Sequence, residues 1–182
     1  MAFIGFTRNI FFVTTTVVDW VDIFTRPLYK QIVVESLDYC QKNKGLVLHA
    51  WVLMTNHIHL IVSVDGSIAL SDILRDFKKF TSKKIVAAIE GNEKESRRDW
   101  LLDRFRFVAA NDKKIQGYKF WQDGNYVELI QSRDFFIQKI NYVHQNPVRQ
   151  QLVDKAECYL YSSARDYAGQ KGLLKIENIT LL

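Results

Sequence analysis

Residues 51–66 read WVLMTNHIHLIVSVDG: two apolar runs separated by the polar pair Thr55-Asn56, with His57 and His59 opening the second run. Each run has strand length and is rich in β-branched residues, so the stretch predicts a hairpin of strands over 46–55 and 57–64. Successive side chains on a strand point to opposite faces. Ile58, Leu60, Val62 and Val64 therefore share one face, and His57, His59, Ile61 and Ser63 share the other. The uniformly apolar set calls for helices to cover it. Both histidines then stand together on the opposite face.

Working outward, RNIFFVTTTVV (8–18) is aromatic and β-branched and predicts a strand. Segment 26–45 places Leu28, Ile32, Val33, Ser36, Leu37 and Cys40 at helical spacing, with Pro27 at the start and Gly45 at the stop. Segment 67–91 is a long amphipathic helix whose apolar face is Leu70, Ile73, Leu74, Phe77, Ile85 and Ile89. A charged helix and loop over 93–117 reads as an insertion. Segment 118–130 is strand-like around the Asp123-Gly124 turn signal. Residues 132–146 form a helix capped by Ser132 and closed by Pro147, and 148–182 mix short helix and loop. This order predicts a single α+β domain over 1–182. Its expected fold is a ferredoxin-like antiparallel sheet with helices on one face and a tyrosine-bearing helix near the C-terminus.

Composition fits that reading. The 182 residues are 48% hydrophobic and 25% charged, as in ordinary globular domains, with a mildly basic net charge of +5. A basic balance suits a polyanionic partner without requiring one. Cys40 and Cys158 make neither a disulfide framework nor a metal-binding spacing, which points to a reduced, cytoplasmic setting. No run approaches the ~18 apolar residues of a membrane span, and Arg8 interrupts the apolar N-terminus.

Imidazoles at i and i+2 on one strand face make a workable pair of metal ligands, and neutral imidazole suits Mn, Fe, Ni, Cu and Zn. Two histidines with structural roles fit the same spacing. On the last helix Phe136, Ile140 and Val143 define the buried stripe, while Tyr142 and Asn146 lie one turn apart and point away from it. Such a pair is either an amphipathic tyrosine followed by a carbonyl-satisfying asparagine, or a nucleophile beside a metal ligand. A free phenol ionises near pH ~10 and attacks only activated centres, such as a metal-polarised phosphodiester. Lys139, three residues before Tyr142, would favour the phenolate.

The segments WVLMTNHIHLIV, LRDFKKFTSKKI, FWQDGNYVELI, INYVHQNPVRQQLV and YLYSSARDYAG, in this order, resemble the IS200-like, REP-associated tyrosine transposases, over residues 8–168. These are single-tyrosine HUH nucleases. The resemblance implies that His57 and His59 are metal ligands, that Asn146 fills the third-ligand position and that Tyr142 is the nucleophile. It further implies Mg²⁺ or Mn²⁺ as cofactor and single-stranded or hairpin DNA as partner. Cleavage would leave a 5′-phosphotyrosine link, in a cytoplasmic, nucleoid-associated protein. Thr55 stands where the family commonly has proline, and no histidine follows Trp121-Gln122 where relatives often show one. Whether the histidines and the tyrosine meet in one chain or across a homodimer is left open.

For DNA contacts the sequence offers Arg75, Lys78, Lys79, Lys83 and Lys84 on the second helix, then Arg97, Arg98, Arg104 and Arg106. Trp100 or Trp121 would stack on unpaired bases. Three other readings stay open: a non-catalytic single-strand binder on the same kind of sheet, a metal-dependent phosphodiesterase without a covalent step, and a transposase-derived protein that no longer mobilises DNA.

Overall fold

The computed structural model describes residues 8–112 and 116–177. Four strands, β1 (Phe11–Thr16), β2 (Leu46–Leu53), β3 (His57–Val64) and β4 (Tyr126–Leu129), form one antiparallel sheet in the order β2-β3-β1-β4. The main helices are α1 (Pro27–Lys44), α2 (Leu70–Glu90), α3 (Arg98–Ala110) and α4 (Arg133–Arg149). The α+β architecture and the element order follow the expectation from sequence.

One sheet face carries Val13, Leu48, Trp51, Leu53, Ile58, Leu60 and Val62, all buried against α1, α2 and α3. A bulge between Leu48 and Ala50 makes this possible. Leu48 pairs with Val62 and Ala50 with Ile61, so the extra residue His49 shifts the alternation and turns Trp51 and Leu53 onto the helix-covered face. Along α2, Ile73, Leu74, Phe77, Ile85 and Ile89 are buried as the periodicity requires. On α1, Tyr29 is buried where the spacing had pointed to Leu28, which is 48% exposed.

Helices cover one face as expected for α1 and α2, but α4 lies against the other. Its Phe136 and Val143 pack with Phe12, Ala50, Val52 and Ile61 in a second, smaller core. Burying each of the two contributes roughly 1.5–3 kcal/mol. Ser132 caps α4 by accepting from the Phe135 amide at 3.2 Å. Pro147 does not close the helix, which runs on to Arg149. Near the last turn a proline forfeits only the bond to the carbonyl four residues back, and Pro147 is itself buried.

Gly45 ends α1 at φ +73°, and a Cβ there would collide with the Asp65 carbonyl. That contact closes the base of the β2–β3 pair, where the Asp65 amide donates to the Gly45 carbonyl at 2.8 Å. The outer edge of β2 is sheathed by the C-terminal segment. Leu53 donates to Tyr161, Ser163 to Trp51 and Glu177 to Leu48. In the segment read as an insertion, α3 buries Leu101, Leu102 and Phe105 in the main core, while residues 113–115 lie outside the described residues. No described helix is long and apolar enough to cross a membrane.

Candidate active site

The strand register sets the site. Thr14 pairs with His59, and Thr16 with His57, so β1 lays hydroxyls beside the two imidazoles on the face that α4 crosses. The histidine rings are 4.7 Å apart between centroids. From α4, Tyr142 comes edge-on to His59 at 5.2 Å, and Phe12 stacks on His59 at 5.4 Å while meeting Tyr142 edge-on at 5.9 Å. His57, His59 and Tyr142, remote in sequence, thus meet within a single chain, without a second copy.

Each imidazole is oriented by a partner. Asn56 donates its amide to the Trp20 carbonyl at 3.1 Å, which turns its Oδ1 toward His57 Nδ1 at 2.6 Å. That oxygen can only accept, so His57 carries its proton on Nδ1 and leaves Nε2 with a free lone pair. Thr14 Oγ1 lies 2.7 Å from His59 Nδ1, and His59 Nε2 is buried with no partner among the described residues. Burial pulls His59 down to about 3, helped by repulsion from His57 and Lys139, and burial also lowers His57. Both rings are neutral at physiological pH, the form that binds metals.

The donor set fits a divalent cation. The two imidazole rings stand 4.7 Å apart, His59 Nε2 is unpartnered, and the buried amide of Asn146, one turn past Tyr142, has an unpartnered Nδ2. Turning that amide about its last torsion presents its oxygen, the atom a cation would take. No cluster of three or more His, Cys, Asp or Glu side chains is present among the described residues. The remaining positions around a cation would be left to water and to a phosphate.

Tyr142 is 38% exposed. The Arg149 guanidinium, two turns on, lies 5.5 Å from the Tyr142 ring. It makes no ion pair among the described residues. Lys139 is occupied elsewhere. Its ammonium is 2.8 Å from Glu128 and lies over the rings of Phe12 and Phe135.

The expected DNA surface is redistributed. Trp121 is 5% exposed, packed against Phe24 and Phe77 with its indole N–H donated to Thr81, and it cannot stack on a base. Lys78 donates to the carbonyls of Gln122 and Gly124 and ties that loop to α2. Arg75 is held by Asp72 and Asp76, and Arg97 by Asp22. Arg98 is half-buried with its Nε unpartnered. Lys79, Lys83 and Lys84 are exposed, yet α2 covers the sheet face opposite the histidines. The residues that sequence reasoning missed are Thr14, Phe12, Arg149 and Trp20. Only strand register and helix placement bring the first three to the site, and Asn56, read from the sequence only as part of a polar break, orients His57.

The family model described as "Transposase IS200 like" matches residues 13–105, about half of the chain, including both histidines. The chain belongs to the IS200-like transposase family. No curated protein matches this transposase in sequence. Its fold is similar to that of a solved REP-associated tyrosine transposase bound to a REP hairpin, 16% identical, with a TM-score of 0.64 over 100% of this chain and 95% of that one. A candidate transposase from Deinococcus radiodurans is 13% identical, with a TM-score of 0.47 over 79% of this chain and 95% of that one.

Proposed function

We propose that this transposase cleaves and rejoins single-stranded, hairpin-associated DNA through a covalent tyrosine intermediate. The observation that carries the reading is the approach of Tyr142 to His59, whose buried Nε2 has no partner among the described residues. The hairpin seen with the solved REP-associated neighbour supports the substrate class.

His57, His59 and Asn146 would hold Mn²⁺ or Mg²⁺. Two imidazoles favour Mn²⁺, since Mg²⁺ prefers oxygen donors. When bound, the cation supplies Lewis-acid neutralisation of a non-bridging phosphate oxygen. Tyr142 Oη attacks phosphorus in line, forming the O–P bond as the bond to the 3′ oxygen breaks. The phenol proton passes to solvent and the 3′ oxygen takes one up, giving a 5′-phosphotyrosine and a free 3′-hydroxyl. Arg149 lies where it can hold the phosphate's charge beside the tyrosine. The phosphotyrosine keeps the energy of the broken ester, so a 3′-hydroxyl can reverse the step.

The test is cleavage of end-labelled single-stranded hairpin DNA from the regions flanking the gene, in Mn²⁺, Mg²⁺ or EDTA. Wild type should form a denaturation-resistant protein–DNA adduct that needs metal and vanishes in Tyr142→Phe. Metal-dependent cutting that persists in Tyr142→Phe would replace this reading with a phosphodiesterase using water. Binding without cutting would leave a single-strand binder.

A further inference from the structure

Trp20 is 62% exposed, although its ring lies edge-on to His57 with centroids 6.4 Å apart. A large indole left in water at the rim of a site has little to contribute to the core. Of the other tryptophans, Trp51 is 0% and Trp121 5% exposed. Trp100, 54% exposed, sits on α3, which packs on the helix-covered core, and makes no ring contact with His57 or His59 among the described residues.

The backbone holds Trp20 in this position against its own preference. Asp19 and Trp20 have φ of 51° and 56°, two consecutive residues in the left-handed region that side chains other than glycine rarely occupy. Three contacts fix the turn. The Trp20 amide donates to the Val17 carbonyl, the Trp20 carbonyl accepts from Asn56, and the Asp19 carboxylate pairs with Arg104. Asn56 is also the residue that orients His57. The Trp20 backbone and the His57 imidazole are therefore tied to one side chain.

We infer that Trp20 is a stacking platform for an unpaired nucleobase adjoining the phosphate that the histidines face. The inference deepens the single-strand nuclease reading and rests on it. An indole offers a broad π-face that accepts any base, and its position beside His57 fixes where the strand lies relative to the site. The ligand class is single-stranded DNA, taken without sequence preference at this position. A paired base, stacked within a duplex, has no free face to offer.

The test is fluorescence anisotropy of the full chain in EDTA, with labelled oligothymidylate and an abasic strand of equal length. Trp20→Ala should weaken oligothymidylate binding by roughly 5- to 100-fold, as loss of one base–aromatic stack does. Trp20→Phe should retain most of the affinity. Both variants and wild type should bind the abasic strand alike. Unchanged oligothymidylate binding in Trp20→Ala overturns the inference and leaves the nuclease reading intact. An equal loss on the abasic strand overturns it as well, because the defect would then lie in the site's shape. If wild type binds and Trp20→Ala fails as expected while no adduct forms with hairpin DNA, the stacking role stands and the nuclease reading falls. A wild type that binds no single strand overturns both.

Discussion

The Tyr142 ring meets the His59 imidazole edge-on, with centroids 5.2 Å apart, and Phe12 closes the triangle, 5.4 Å from His59 and 5.9 Å from Tyr142. The tyrosine is thus positioned by packing as well as by the helix that carries it.

Because Thr14 and Asn56 fix the two imidazoles through Nδ1, metal affinity should depend on side chains that never touch the metal. Thr14→Val and Asn56→Ala should each weaken Mn²⁺ binding by about 10- to 100-fold. Calorimetric titration of the purified protein checks this. Unchanged affinity in both would mean that the rings are held by packing alone.

Lysines on α2 and the arginine on α4 should behave oppositely toward DNA. Arg149→Ala should slow adduct formation by about 10-fold or more, since its guanidinium lies beside Tyr142. The double variant Lys79→Ala/Lys83→Ala should change the rate less than about 2-fold at moderate salt, because its charges sit across the sheet and add only a screened field. A larger effect from the lysine pair would show that the strand wraps around the edge of the sheet.

Trp121 is a core residue, and its loss should be felt in folding. Trp121→Ala should destabilise the protein by about 3–5 kcal/mol in urea unfolding, through lost burial and the cavity left behind. At temperatures where the variant remains folded, its affinity for single strands should match wild type.

His144 is buried, hydrogen-bonded to Ser163, and pulled down to about 4 by burial. In the unfolded chain a histidine titrates near ~6.5. Its folded value is the lower one, so the unfolded state binds more protons between the two. The stability it contributes is full above about pH 6.5 and is lost as pH falls to about 4, amounting to about 3 kcal/mol at most. The buried His49, His57 and His59 act in the same direction. Urea unfolding at pH 7 and pH 5 should therefore show a smaller loss of stability in His144→Gln than in wild type. Equal losses would place the titration elsewhere.

Alternation along β3 was enough to assign Ile58, Leu60 and Val62 to the helix-covered face and the histidines to the other, because period-2 patterning survives in any register. On α4 the 3.6-residue period placed Phe136 and Val143 in the core, but Asn146, read as turned away from that stripe, is buried with them. Which strand lies beside which histidine was not legible. Thr14 reaches His59 only through the pairing of β1 with β3, a long-range choice that no local pattern encodes. Trp121 misled because an indole beside a turn signal reads alike whether it faces solvent or the α2 core. Pro147 misled because its cost depends on how many helical bonds lie beyond it. Trp20 carried no signal, as its exposure comes from a left-handed turn at a Val-Asp-Trp sequence that contains no glycine.

The C-terminal strap along β2 bears on the order in which the molecule is completed. Glu177 and Ser163 supply hydrogen-bond donors to Leu48 and Trp51, residues from early in the chain. During synthesis, the hairpin that bears both histidines emerges long before its outer edge can be sealed. Until the strap arrives, β2 presents an unpaired row of amides and carbonyls to any other nascent copy nearby. A chain cut short before the strap would carry its tyrosine and histidines while the outer edge of β2 stayed open.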